Sequence, residues 1–113
     1  MVDINQDVPK EIADKAYEAI EIARKSGKIK KGSNEVTKVV ERGMARLVVI
    51  AKDTNPPEVI MHIPALCEEK GVTCVVVPSR EDLGAASGLN VPTSAVAIVK
   101  EGDSTDLIKE LSK

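Results

Sequence analysis

Three short apolar runs constrain this chain more than any other feature of its sequence. Residues 46–51 (Arg-Leu-Val-Val-Ile-Ala), 72–77 (Val-Thr-Cys-Val-Val-Val) and 94–99 (Ser-Ala-Val-Ala-Ile-Val) are rich in β-branched side chains. They lack the polar-apolar alternation of a strand with one wet face, so they read as strands covered on both sides. The segments around them carry helical signals. Residues 9–26 repeat Ile12, Ala16, Ile20 and Ala23 at helical spacing beside Tyr17, with Asp7 available as N-cap, Pro9 in the first turn and Gly27 as the stop. Residues 34–42 gather Val36, Val39 and Val40 on one face, with Asn34, Thr37, Lys38, Glu41 and Arg42 opposite and Glu35 at the edge, before Gly43 ends the pattern.

A further helical stretch is expected from Pro56-Pro57, with Ile60, Ile63, Leu66 and Cys67 inward and a break at Pro64. Ser79-Arg80-Glu81-Asp82 resembles a capping box opening a short helix to about Ser87, and a last helix after Asp103 carries Leu107, Ile108 and Leu111. Helices alternating with buried strands imply an α/β protein, a three-layer α/β/α sandwich. The basic stretch Lys28 to Lys30 would add an edge strand and make the sheet mixed.

At 113 residues the chain is long enough for one domain, residues 1–113, burying about two-thirds of its extended-chain surface without disulfide or metal staples. Its only aromatic residue is Tyr17, so the core must be built from Val, Ile, Leu and Ala. No apolar run approaches the roughly 18 residues that cross a bilayer, and the N-terminus has no signal-peptide pattern, which predicts a soluble intracellular protein. Cys67 and Cys74, in apolar surroundings, are expected to be buried thiols of a reducing compartment, and His62, the sole imidazole, rules out a three-histidine metal site.

The formal charge of -2 and pI of about 5.5 argue at first against a polyanionic partner. The distribution argues otherwise. Residues 27–52 hold seven basic groups (Lys28, Lys30, Lys31, Lys38, Arg42, Arg46, Lys52) against Glu35 and Glu41, a local balance of +5, between flanks of -2 and -5. The basic run leads into Gly32-Ser33-Asn34-Glu35 at the start of a helix, whose free N–H groups favour an anion. Asn34 both donates and accepts, Lys38 donates to guanine O6 or N7, and Glu35 accepts from amino or imino groups, which together can read base edges. The ordinary alternative is that Ser33 caps the helix and Glu35 favours its dipole. A second unusual stretch, residues 84–92, sets Leu89, Asn90 and Val91 between Gly88 and Pro92 in a loop; the apolar pair either tucks into the core or forms a wedge against a partner.

Together, Gly32-Ser33-Asn34-Glu35-Val36-Thr37-Lys38, the strand followed by Asp53 and Pro56, and Leu83 through Pro92 closely resemble the family of archaeal large-subunit ribosomal protein L7Ae. That family includes the eukaryotic box C/D and H/ACA small nucleolar ribonucleoprotein core proteins, and the resemblance covers residues 9–111. It implies an α/β/α sandwich on a four-stranded mixed sheet. It also implies a cytoplasmic, non-catalytic protein, monomeric when free, without cofactor or metal and without DNA or membrane partners. The implied activity is binding kink-turn and kink-loop RNA in the ribosome and in guide ribonucleoproteins for 2'-O-methylation and pseudouridylation. Archaeal members also occur in ribonuclease P, and partner proteins would be other ribonucleoprotein core proteins.

Carried over by position, Asn34, Glu35 and Lys38 match the residues that read sheared G·A pairs, with Gly32, Ser33 and Thr37 in the same surface. Lys28, Lys30 and Lys31 match the backbone-contacting stretch; Leu89 and Val91, with Asn90 between them, match the loop against the bulged nucleotides. Ser33 stands where Ala is common and Lys52 where Glu often stands. Val91 replaces the Arg of eukaryotic box C/D relatives, which favours the broad archaeal type of specificity. The near absence of aromatics independently argues against sheet-stacking or OB-fold modes of RNA recognition.

Two readings from other classes remain open. One is a small α/β enzyme or phosphoryl carrier using the helix starts near Gly32 and Ser79, with Cys67, Cys74 or His62 as nucleophile, although no P-loop or G-x-G-x-x-G pattern is present. The other is a protein-protein scaffold using the acidic remainder.

Overall fold

A computed structural model of the protein describes residues 8–112. Its elements run α1 (Lys10–Ser26), β1 (Lys28–Lys31), α2 (Ser33–Glu41), β2 (Leu47–Ala51), a 3-10 turn (Pro57–Val59), α3 (Ile63–Lys70), β3 (Thr73–Val77), α4 (Arg80–Ala86), β4 (Ala95–Lys100), a second 3-10 turn (Gly102–Ser104) and α5 (Thr105–Leu111). The four strands form one mixed sheet in the order β1-β4-β2-β3, with β2 and β3 parallel and β4 antiparallel to both β1 and β2. The basic stretch is thus an edge strand of a mixed sheet, as expected.

The apolar runs are buried on both faces because successive strand residues point to opposite sides. Leu47, Val49, Ala51, Val75, Val77, Val96 and Ile98 pack beneath α1, α4 and α5. Val48, Ile50, Cys74, Val76, Ala95, Ala97 and Val99 pack against α2 and α3. These two cores make the three layers. Each fully buried Val, Leu or Ile contributes roughly 1.5–3 kcal/mol of transfer free energy, so the chain needs no aromatic ring to fill either layer.

Several local details differ from expectation. Asp7 lies outside the described residues, and Pro9 occupies the N-cap position of α1 without a side-chain cap. The buried stripe of α1 is Ala13, Ala16, Ala19, Ile20 and Ala23, whereas Ile12 is exposed. Alanines bring the helix close to the sheet, and Ile12, although within about 20° of Ala19 and Ala23 around the helix axis, stands in the first turn of α1 and is left exposed there. Gly27 is needed at the following turn for closeness of approach: a Cβ there would fall 2.1 Å from the Lys100 carbonyl oxygen.

Pro64 does not break a helix. It sits in the first turn of α3, where its missing N–H has no intrahelical partner to lose. Ile60, Ile63 and Cys67 are buried as expected, with Leu66 half-buried. No helix among the described residues is long and apolar enough to cross a membrane.

Candidate nucleic-acid interface

β1 enters the site through a single residue. Gly32 links β1 to α2 at φ +94°, the left-handed region that L side chains avoid, while its N–H donates to the Ala95 carbonyl at 2.8 Å. This bond ties the turn to β4. Gly32 is the N-cap of α2, so Ser33 falls inside the helix and caps nothing; no side chain caps this end. The Val36 N–H reaches the Gly32 carbonyl, leaving the N–H groups of Ser33, Asn34 and Glu35 without intrahelical acceptors.

The polar face behaves as its spacing predicts. Asn34, Glu35 and Lys38 are exposed, and Lys38 Nζ lies 3.6 Å from Glu35 Oε1. Such a solvent-exposed pair is worth about 0–1 kcal/mol, so it breaks at little cost when a ligand competes. Thr37 is different. Its hydroxyl donates to the Ser33 carbonyl at 2.7 Å and meets His62 Nε2 at 2.8 Å. With its one proton given to Ser33, the oxygen accepts from the imidazole N–H. Thr37 therefore braces the first turn of α2 against the segment before α3.

The same end of the sheet supplies the facing wall. A groove of about 410 Å³ is lined by Lys31, Gly32, Ser33, Asn34 and Glu35 on one side and by Thr54, Asn55, Val59, Arg80, Pro92, Thr93 and Ser94 on the other. These residues follow the carboxyl ends of β1, β2 and β3 or precede β4, so the groove sits at one pole of the sheet. Ligands of open α/β sheets favour such a position.

The far wall is built by two caps. Ser79 Oγ accepts from the Asp82 N–H at 3.1 Å, the expected half of a capping box, and Asp53 Oδ1 accepts from the Arg80 N–H at 2.8 Å. The start of α4 is therefore filled by the protein's own side chains, whereas that of α2 is open.

The loop of residues 87–92 continues this wall. Leu89 N–H returns to the Gly84 carbonyl and Thr93 N–H to the Arg80 carbonyl, which folds the loop back over α4. Val91 is left 62% exposed and Asn90 exposed, while Leu89 is half-buried and belongs to neither core. Of the apolar pair, Val91 is the projecting member.

Along β1, Lys30 pairs with Ala97 and Lys31 with Val96, and Lys31 reaches the groove rim. Lys28 pairs with Lys100 beyond a bulge at the opposite end of the strand, three residues or about 10 Å from Lys31. The groove thus brings together Lys31 through Glu35, with Lys30, Thr37, Lys38 and the tip of the 87–92 loop around it, while Lys28 stands apart towards the other pole of the sheet. Thr54, Asn55, Val59, Arg80, Thr93 and Ser94 were not singled out as site residues by sequence. The only signal for them was their adjacency to Asp53, Pro56, Ser79 and Pro92.

Of the groups suited to covalent chemistry, the two thiols are placed elsewhere. Cys67 and Cys74 are buried free thiols on the α2–α3 side of the sheet. A hydrogen bond between them pushes Cys67 down and Cys74 up from the ordinary thiol value, with burial opposing the first shift and adding to the second. Among the described residues no cluster of His, Cys, Asp and Glu could hold a metal ion.

Comparison with known proteins agrees with this layout. Residues 14–108 match the model of the ribosomal protein L7Ae/L30e/S12e/Gadd45 family. The chain belongs to that family. Among solved structures, it is similar to a Giardia lamblia 15.5kD RNA binding protein at 33% identity and a TM-score of 0.90, over 98% of this chain and 94% of the other. The family match therefore spans α2, the strands and the 87–92 loop, all the elements that form the groove and its rim.

Proposed function

We propose that the protein binds RNA at this pole and recognises kink-turns and kink-loops. The observation that carries the reading is the uncapped start of α2, with Asn34, Glu35 and Lys38 exposed beside a basic edge strand. A surface meant only for phosphate would exclude a carboxylate; Glu35 and Asn34 instead supply acceptors for base amino and imino groups. Regular A-form RNA hides such edges in a deep, narrow major groove, so these side chains need a distorted element that opens it. A kink-turn with sheared G·A pairs is such an element.

In this reading Asn34, Glu35 and Lys38 read the G·A edges, with Gly32, Ser33 and Thr37 holding the helix start close. Lys28, Lys30 and Lys31 neutralise phosphates, and the Leu89-Asn90-Val91 loop covers the bulged nucleotides, with Val91 as the wedge. The contacts align only on the bent conformer, so binding shifts the RNA population towards it. The similarity to an RNA binding protein from Giardia lamblia supports the partner class, and the motif resemblance supports the finer assignment. That assignment is a non-catalytic RNA-binding component of the archaeal large ribosomal subunit and of box C/D and H/ACA guide particles in the cytoplasm, acting also in ribonuclease P.

An enzyme or phosphoryl carrier is disfavoured on three counts. The α4 start is occupied by Asp53 and Ser79, both thiols are buried, and His62 is engaged with Thr37.

The test is a donor-acceptor-labelled kink-turn RNA titrated with the protein, beside the same RNA with its G·A pairs converted to Watson-Crick pairs. Shortening of the end-to-end distance in the first and not in the second is expected. No change in either would sink the proposal.

A further inference from the structure

The basic run of residues 27–52 does not include every cation at the interface. Arg24 lies in the last turn of α1, within a segment of net charge -2. It is exposed and makes no ion pair among the described residues, unlike Lys15 with Glu110, Lys38 with Glu35 and Arg46 with Glu101. Its side chain instead lies against Gly88, the first turn of the wedge loop. A Cβ on Gly88 would fall 3.0 Å from both Cδ and Nη1 of Arg24 and 3.3 Å from Cζ. The arginine thus occupies the space that a side chain at position 88 would take. Gly88 has φ +81° and directly precedes Leu89, Asn90 and Val91.

We infer that Arg24 is an RNA-contacting residue: its guanidinium, seated on Gly88, binds a backbone phosphate of the nucleotide that the Val91 loop covers. This inference rests on the RNA-binding reading above. Guanidinium presents several N–H donors in a plane that matches a phosphate as it does a carboxylate, and the uncharged loop beside it is what favours the phosphate. Residues 87–92 carry no charge of their own, so a phosphate held against Leu89, Asn90 and Val91 would draw its neutralising charge from Arg24, with Arg80 the other cation on that wall. Arg24 thereby gives the wedge side of the interface a cation, as Lys28, Lys30 and Lys31 do on the β1 side.

The experiment compares the full-length wild type, Arg24→Gln and Arg24→Lys for affinity to a kink-turn RNA between about 50 and 200 mM monovalent salt. For Arg24→Gln, the slope of log affinity against log salt should fall by about 0.7–0.9, the value of one lost phosphate contact. Affinity should drop several-fold at low salt, with preference for G·A over Watson-Crick RNA retained. Arg24→Lys should restore the slope, because it keeps the charge, and all three proteins should share one thermal midpoint. A wild-type slope in Arg24→Gln, or a Lys variant that behaves like Gln, overturns the role of Arg24. Failure of the wild type to prefer kink-turn RNA overturns the RNA reading itself, a separate result.

Discussion

Lys31 and Glu35 stand on either side of the Gly32 turn and are both exposed at one groove, but their chemistry assigns them different work. A lysine on a phosphate is indifferent to sequence, whereas a carboxylate gains only where a base offers a donor. Lys31→Ala should therefore weaken binding to every RNA and lower the salt slope by about one contact. Glu35→Ala should instead abolish the preference for G·A pairs while leaving that slope nearly unchanged. Parallel titrations of matched and Watson-Crick RNAs separate the two. Between them, Gly32 carries a cost of conformation alone. A Cβ there meets nothing within 4 Å, yet φ is +94°, so Gly32→Ala should destabilise the fold by about 1–2 kcal/mol through the backbone. Thermal or urea denaturation reads this directly.

Among the elements, α4 and its following loop show two principles in conflict. Glycine inside a helix costs about 1 kcal/mol against alanine, so propensity alone would make Gly84→Ala stabilising. Packing decides otherwise: an added Cβ would sit 2.2 Å from the Val91 carbonyl oxygen and 3.2 Å from Pro92 Cα, both backbone atoms. Overpacking of this kind costs typically 1–3 kcal/mol. The expected result is a lower melting temperature together with weaker kink-turn binding, because the clash pushes the Val91 loop off α4. An unchanged affinity with a raised melting temperature would refute that account.

The strands were legible in the sequence because uninterrupted β-branched runs have few other uses, and the start of α2 because glycine, asparagine, glutamate and lysine at that spacing mark a surface. The far wall of the groove was not. Thr54, Asn55 and Arg80 come together only because β2 and β3 run parallel and end at the same pole, a fact of topology without local signature. The buried face of α1 was misjudged at Ile12 because the helical period puts it on the alanine stripe, while its exposure comes from its place in the first turn. Pro64 was misjudged because the same residue ends one helix and begins another.

Across the whole molecule, one polar tie between α1 and the interface runs through a phenol. The Tyr17 hydroxyl donates to the Ser79 carbonyl at 3.3 Å, linking α1 to the start of α4. Burial, which outweighs the lowering by this hydrogen bond, raises its pKa above the ordinary phenol value of 10.0, with Asp82, Asp53 and Asp14 adding to the rise. A group whose folded pKa is raised contributes stability that is fully present below its unfolded pKa and is lost as pH climbs through the folded value. Stability should thus decline above about pH 10, and less so in Tyr17→Phe, which cannot ionise. Denaturation midpoints of both proteins measured from neutral to alkaline pH check the difference.

The confinement of the groove to one end of the sheet has a consequence for variation among related sequences. Apart from Gly32 and Ile60, exposed positions in the loops after β1, β2 and β3 and before β4 can change without entering either core, while at the opposite pole Gly27, against the Lys100 carbonyl, admits no side chain. Divergence at the first pole should alter which RNA is chosen at constant protein abundance, and divergence at the second should alter abundance at constant choice.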